Sequence, residues 1–149
     1  MPLHLTIVTA QRTILEQDGV TKLVVPAAGG QITVLPHHAA LMSSLAIGEM
    51  LVFGAGPPEA IAIHGGFIQV VHDEVSVLAD AAERPEQIDI ARAEAARARA
   101  QIRLEGRDQD LAGGLDVLRA QLALQRSLAR LRVARRRVGG ATGVPSQRP

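Results

Sequence analysis

Leu3, Leu5 and Ile7 alternate with His4, Thr6 and Val8, the period-two pattern of a strand with one buried face. Residues 13–16 and 20–25 read as the next strands, parted by Asp18-Gly19, a turn signal. Residues 26–30 break the chain, and residues 31–35 are strand-like again. Residues 49–53 and 60–64 flank 54–58, a stretch so rich in glycine and proline that it reads as a loop. Residues 66–71 and 74–78 flank His72-Asp73, a hairpin turn. Turn signals at intervals of about ten residues favour a sandwich or barrel over a βαβ fold. The expected total is eight to ten strands, most of them short.

From residue 86 the period changes. Asp89 suits the N-cap of a helix, because its carboxylate can accept from the open N–H groups of the first turn. Residues 90–105 are Ala, Arg and Glu in the main, all strong helix formers. Gly106 ends this helix, and Gly113-Gly114 marks a turn. A second helix is expected over about 115–138. Leu111, Leu115, Leu118 and Leu122, with Leu124, Leu128 and Leu131, follow three- and four-residue spacing, an apolar stripe that needs a partner surface. Six alanines make the first helix thin, so the hairpin should dock with modest free energy, as suits a moving part. Residues 139–149 are expected to be a disordered tail.

Charge divides at the same place. Residues 1–85 carry 3 basic and 8 acidic side chains, a net of −5, and residues 86–149 carry 13 and 7, a net of +6. The overall +1 therefore joins an acidic β part to a basic α part, and the basic part calls for an acidic partner. Phe53 and Phe67 are the only aromatics, so the core must be aliphatic. There is no cysteine, which excludes disulfides and thiolate metal sites. No apolar run approaches the roughly 20 residues of a membrane span, and Met1-Pro2-Leu3-His4 is no signal-peptide start. The reading is a soluble, intracellular protein.

Catalytic chemistry is hard to find. Gly65-Gly66 lacks the spacing and the Lys-Ser/Thr end of a phosphate loop, so a bulge or close backbone approach is the expectation. His37-His38 would point to opposite faces of an extended chain, and no metal site is expected there. The histidines are expected to be solvated or locally hydrogen-bonded. No serine stands in a nucleophile elbow, and no catalytic residue is assigned.

The arginines are the remaining signal. Arg92, Arg99 and Arg103 share one face of the first helix, and Arg126 and Arg130 share one face of the second. Packed antiparallel, the two sets can converge near Glu83 and Asp89, where forked guanidinium groups would suit a polyphosphate. Spacing alone favours a solvated face with intrahelical ion pairs. The C-terminal run Arg135-Arg136-Arg137 suits the macrodipole, but seven arginines in the second helix still point to an acidic partner, protein or nucleic acid.

Four stretches then fall in one order. Residues 35–41, LPHHAAL, resemble L-P-G-H-x-P-L; residues 64–70, HGGFIQV, resemble S-G-G-F-L-E-V. Residues 77–84, VLADAAER, resemble V-L-A-D-x-A-E-R, and residues 88–93, IDIARA, fit I-D-x-x-R-A. Together they resemble the epsilon subunit of F-type ATP synthases, from Leu3 to about Val133. His37 stands for a usual glycine, Ala40 for a proline and His64 for a serine.

The resemblance implies a β + α fold: an N-terminal flattened β-sandwich of short antiparallel strands over 1–85, then a C-terminal antiparallel α-helical hairpin over 86–138. It implies a non-catalytic rotor subunit of the central stalk, coupling proton transport to ATP synthesis. The sandwich would bind the gamma subunit and the c-subunit ring. The hairpin would inhibit ATP hydrolysis when extended, against an acidic segment of the beta subunit. Membrane association would be peripheral, on the cytoplasmic face of the bacterial plasma membrane, through the complex alone. No cofactor is required. In some bacterial members ATP holds the folded hairpin, and the residues matching that site here are Glu83, Ile88, Asp89, Arg92, Ala93, Arg99, Arg126 and Arg130. The alternative is a nucleic-acid-binding module built on the basic hairpin.

Overall fold

A computed structural model describes the backbone of residues 1–106 and 114–141 and the side chains of 1–106 and 117–136. Eight strands come first: β1 (Leu3–Val8), β2 (Thr13–Val20), β3 (Lys22–Ala27), β4 (Gly30–Val34), β5 (Leu41–Phe53), β6 (Glu59–Val71), β7 (Glu74–Ala79) and β8 (Ala82–Glu83). A 3-10 turn, Pro85–Gln87, leads to α1 (Ile90–Leu104) and α2 (Gly114–Ala141). The strands pair in the order β2-β1-β7-β6-β5-β3-β4, with β8 beside β6. One apolar cluster nevertheless holds Leu5 of β1, Leu23 of β3 and Val34 of β4, from opposite ends of that order. The sheet therefore folds over on itself as an open sandwich.

Alternation was a sound guide where one face meets this core. Leu3, Leu5 and Ile7 of β1 are buried, as are Val75 and Val77 of β7. His72 and Asp73 both take positive φ, 49° and 63°, and close the β6–β7 hairpin as expected.

Several expectations need correction. Asp18-Gly19 is not a turn. β2 runs through it to Val20, and the register steps from Leu5↔Gln17 to Leu3↔Val20, so one extra residue is accommodated there as a bulge with Gly19 at φ 70°. Most strands are short, as expected, but β5 and β6 each have 13 residues. Residues 60–64 and 66–71 are one strand, bent at Gly65-Gly66. Not all pairing is antiparallel either, since β1 and β7 run parallel. Helix α2 continues to Ala141, past the expected start of the tail; residues 142–149 lie outside the described residues.

Gly65-Gly66 is a bulge, as the sequence favoured. The glycines take φ of 79° and 120°, and a Cβ on Gly66 would stand 2.1 Å from the Leu78 carbonyl oxygen. The bend hands β6 from β7 to β8: Gly66 pairs with Ala79, Ile63 with Ala82 and Ala62 with Glu83.

Ile61 and Ile63 point into the sandwich core. Ala60 and Ala62, on the other face of β6, are buried with Ile88, Val133 and Ala134. The small side chains let α2 approach closely. Arg130, Val133 and Arg136 follow at three-residue spacing along α2, the spacing of one helix face. Arg130 meets Glu83, and Arg136 grips Glu49 with a bidentate fork at 2.8 Å and 2.8 Å. The leucine stripe docks only in part: Leu122, Leu124 and Leu128 are half-buried. Leu131 is buried, but Leu118 is 50% exposed, and the buried positions are chiefly Ala120, Ser127, Ala129, Val133 and Ala134. The side chains of Leu111 and Leu115 lie outside the described residues.

At the far edge, His4 Nδ1 meets Asp18 Oδ1 at 2.5 Å, with Glu16 Oε1 3.6 Å from Nε2. The hydrogen bond to Asp18 raises the His4 pKa from its usual 6.5. The stabilising contribution is complete below the unfolded pKa and fades as pH rises through the folded one. An NMR titration should give His4 a midpoint above 6.5, and Asp18→Asn should move it down.

Candidate functional site: the cleft between hairpin and sandwich

Ile88 is buried against α2 and fixes the end of the linker. Asp89 Oδ1 then accepts the Arg92 N–H at 3.1 Å, capping α1 as the sequence indicated. From that start, Arg92, Ala93, Ala96 and Arg99 recur at helical spacing and share a face. β8 contributes Glu83, and α2 contributes Arg130. Glu83, Gln87, Asp89, Arg92, Ala93, Ala96, Arg99 and Arg130 line a cleft of about 370 Å³. Three guanidinium groups face two carboxylates around it, and alanines leave the space between them open.

Six of the eight residues singled out from the sequence therefore meet in one cleft. Ile88 supports it from behind. Arg126, one turn before Arg130, is half-buried and outside the lining. Gln87 and Ala96 were missed. Ala96 was within reach, being four residues beyond Arg92 on the same face. Gln87 sits in the 3-10 turn, where its Oε1 accepts the Arg84 N–H at 3.0 Å.

His64 was missed as well, and it corrects the expectation of solvated or locally bonded histidines. Its side chain is 4% exposed, and its Nε2 lies 3.0 Å from Glu83 Oε1. Arg130 Nε donates to the same oxygen at 2.6 Å. Burial pushes the Glu83 carboxyl up, but the hydrogen bonds from His64 and Arg130 outweigh it and hold the pKa below 4.5. Glu83 is therefore an acceptor, and His64 donates through Nε2. The β6–β8 register explains the meeting: Glu83 stands opposite Ala62, and His64 is two residues along on the same face.

A second hollow, of about 410 Å³, lies at the other end around His37, His38, His72 and Asp73. His38 N–H donates to Leu35 carbonyl at 3.1 Å, with His37 at φ 65° inside the turn and its N–H held by Asp73 Oδ1 at 2.6 Å. His37 thus adopts the left-handed conformation that favours glycine. Among the described residues no three His, Asp or Glu side chains form a metal-holding group.

Residues 2–85 match the model of the ATP synthase delta/epsilon chain, beta-sandwich domain, and residues 86–135 that of the delta/epsilon chain, long alpha-helix domain. The chain belongs to the ATP synthase delta/epsilon chain family. Curated relatives agree along most of their length. The ATP synthase epsilon chain of Desulfitobacterium hafniense is 41% identical over 131 residues, 88% of this chain and 95% of that one. That of Chloroflexus aggregans is 42% identical over 134 residues, 90% and 93%. Among solved structures, a chain of the Euglena gracilis mitochondrial ATP synthase superposes with a TM-score of 0.74 at 23% identity, covering 89% of this chain and 81% of that one. A chain of the Tetrahymena thermophila central stalk and c-ring gives 0.51 at 14%. At such identities these two speak for the fold.

Proposed function

We propose that this chain is the epsilon-type subunit of an F-type ATP synthase: a non-catalytic part of the central stalk that restrains ATP hydrolysis through its helical hairpin. The family supplies the complex, and the way the hairpin is held supplies the regulation. Its contact with the sandwich is, among the described residues, a patch of alanines with Ile88 and Val133, closed by the ion pairs Arg130–Glu83 and Arg136–Glu49. Such a contact can be exchanged for another of similar strength. A shift from 1:99 to 99:1 takes about 5.5 kcal/mol of differential binding.

The sandwich face carries a candidate seat for the neighbouring stalk subunits. Phe67 pairs across the sheet with Leu78 and Ser44, and Phe67, Leu78 and nearby Met42 are 59%, 54% and 71% exposed. Gamma subunit and c-ring are the partners proposed for this domain, and the beta subunit for the extended hairpin. Membrane attachment, at the cytoplasmic face of a bacterial plasma membrane, would come through the complex. No helix among the described residues is long and apolar enough to cross a membrane. The nucleic-acid reading is weakened because Arg130 and Arg136 already have acidic partners on the sandwich.

The cleft is proposed to take ATP as a regulatory ligand that holds the hairpin folded. The observation that carries this is the convergence of Arg92 and Arg99 from α1 with Arg130 from α2, since a polyphosphate bridging both helices has those contacts only in the folded state. Calorimetric titration of the full chain with ATP, with and without magnesium, should show one saturable site. Arg92→Ala and Arg130→Ala should each weaken it tenfold or more, as expected for charge-assisted bonds of roughly 1.5–3 kcal/mol, and Arg126→Ala less. Absence of binding to the unmodified chain would remove ATP as ligand and leave the subunit assignment standing.

A further inference from the structure

His64 is a buried imidazole that the ATP reading does not use. Its Nε2 donates to Glu83 Oε1, and its Nδ1 is buried without a hydrogen-bond partner among the described residues. Glu83 and Arg130 belong to the cleft wall, so His64 stands immediately behind the binding surface. β8 brings Glu83, and α2 brings Arg130. The β5 partner in register is Ile47, which does not titrate. Asp80 lies at the adjoining Gly65, and α1 contributes Asp89, Arg92 and Arg99 across the cleft.

We propose that His64 is the positioning residue of this cleft and couples the binding of a polyphosphate there to the uptake of one proton. The inference rests on the ATP reading above. In the folded hairpin the one oxygen of Glu83 takes hydrogen bonds from both Arg130 and His64. A polyphosphate entering the cleft meets the Glu83 carboxylate as a like charge and competes with it for Arg130. A proton added at Nδ1 turns the His64–Glu83 hydrogen bond into an ion pair. That neutralises the repelling carboxylate and releases the Arg130 fork to the phosphates. The liganded state therefore favours charged His64, and by linkage affinity rises as pH falls across the range in which imidazoles titrate.

The test is ATP affinity of the full chain at pH 6 and pH 8, for the unmodified protein and for His64→Gln, whose amide still donates to Glu83 but takes no charge. ATP's own phosphate titration is common to both proteins and cancels in the comparison. The unmodified chain should gain about tenfold more affinity on acidification than His64→Gln does, the effect of one proton linked over one pH unit. Equal pH dependence in the two proteins would overturn the inference and leave ATP binding intact. No binding by either protein at either pH would overturn both. A second measurement needs no variant. In the NMR spectrum of the unmodified chain at pH 7, saturating ATP should move the His64 ring signals toward the imidazolium position, and an unmoved ring at saturation would contradict the proposal.

Discussion

Gly66→Ala is expected to lower the unfolding free energy by about 3 kcal/mol or more, the sum of a glycine-only backbone conformation and a contact with no room to relax. Gly66 holds φ at 120°. The added Cβ would stand 2.1 Å from the Leu78 carbonyl oxygen and 2.7 Å from the Ala79 Cα. Both obstacles are backbone of the paired strand β7, so no side chain can rotate away, and the β6–β7 ladder must separate where it crosses to β8. Thermal unfolding should show a loss on the order of 10 °C. Gly56→Ala is the control, since its Cβ would meet nothing within 4 Å, and it should stay within about 0.5 kcal/mol of the parent. A Gly66→Ala protein as stable as the parent would mean that the bend in β6 is placed wrongly, and with it the register that brings Glu83 beside His64.

Arg130→Met is expected to loosen the hairpin by about 1–3 kcal/mol, the cost of leaving a partly buried acceptor short of its partner. Methionine keeps much of the aliphatic stem, so the loss reports the missing charge more than missing packing. Among the described residues Glu83 would retain His64 alone, and its carboxyl pKa should rise. In the parent that pKa is lowered, so the stabilisation is present above the unfolded value of about 4.5 and disappears as pH falls through the folded value. Hydrogen exchange is the direct readout. Amides of α1 and α2 should exchange faster in Arg130→Met at neutral pH, those of the sandwich core should not, and the difference should shrink in acid. Uniform acceleration throughout would instead mean that sandwich and hairpin unfold as one unit.

What the sequence revealed follows from how local each cause is. The Asp89 cap needs only the first turn of α1, and it was legible. So was the alternation of β1 and β7, because a single buried face imposes period two. The first half of β5 escaped because Ser43, Ser44 and Gly48 dilute its apolar pattern. β6 was read as two strands although Gly65-Gly66 was expected to be a bulge, because the sequence does not show that pairing continues on both sides of it; Asp18-Gly19 was read as a turn where β2 runs through as a bulge. On the hairpin, leucine spacing suggested one docking face, whereas the close approach of α2 to β6 selects alanines. The cleft was visible through the family resemblance, which supplied Glu83, Asp89, Arg92, Ala93, Arg99 and Arg130, whereas helical spacing alone favoured a solvated face. His64 was not, since it lies 19 residues before Glu83 in the chain and only the β6–β8 register joins them.

The central claim is that residues 1–85 assemble and the hairpin regulates. The main apolar cluster runs from Leu3 to Ala82 and is complete without the hairpin, so a chain ending after Glu86 retains its core. The decisive measurement compares the assembly and ATP hydrolysis rate of the synthase complex carrying the full chain with one carrying that truncated chain. The account predicts intact assembly and faster hydrolysis with the truncated chain. Failure to assemble, or hydrolysis at the same rate as with the full chain, would contradict it.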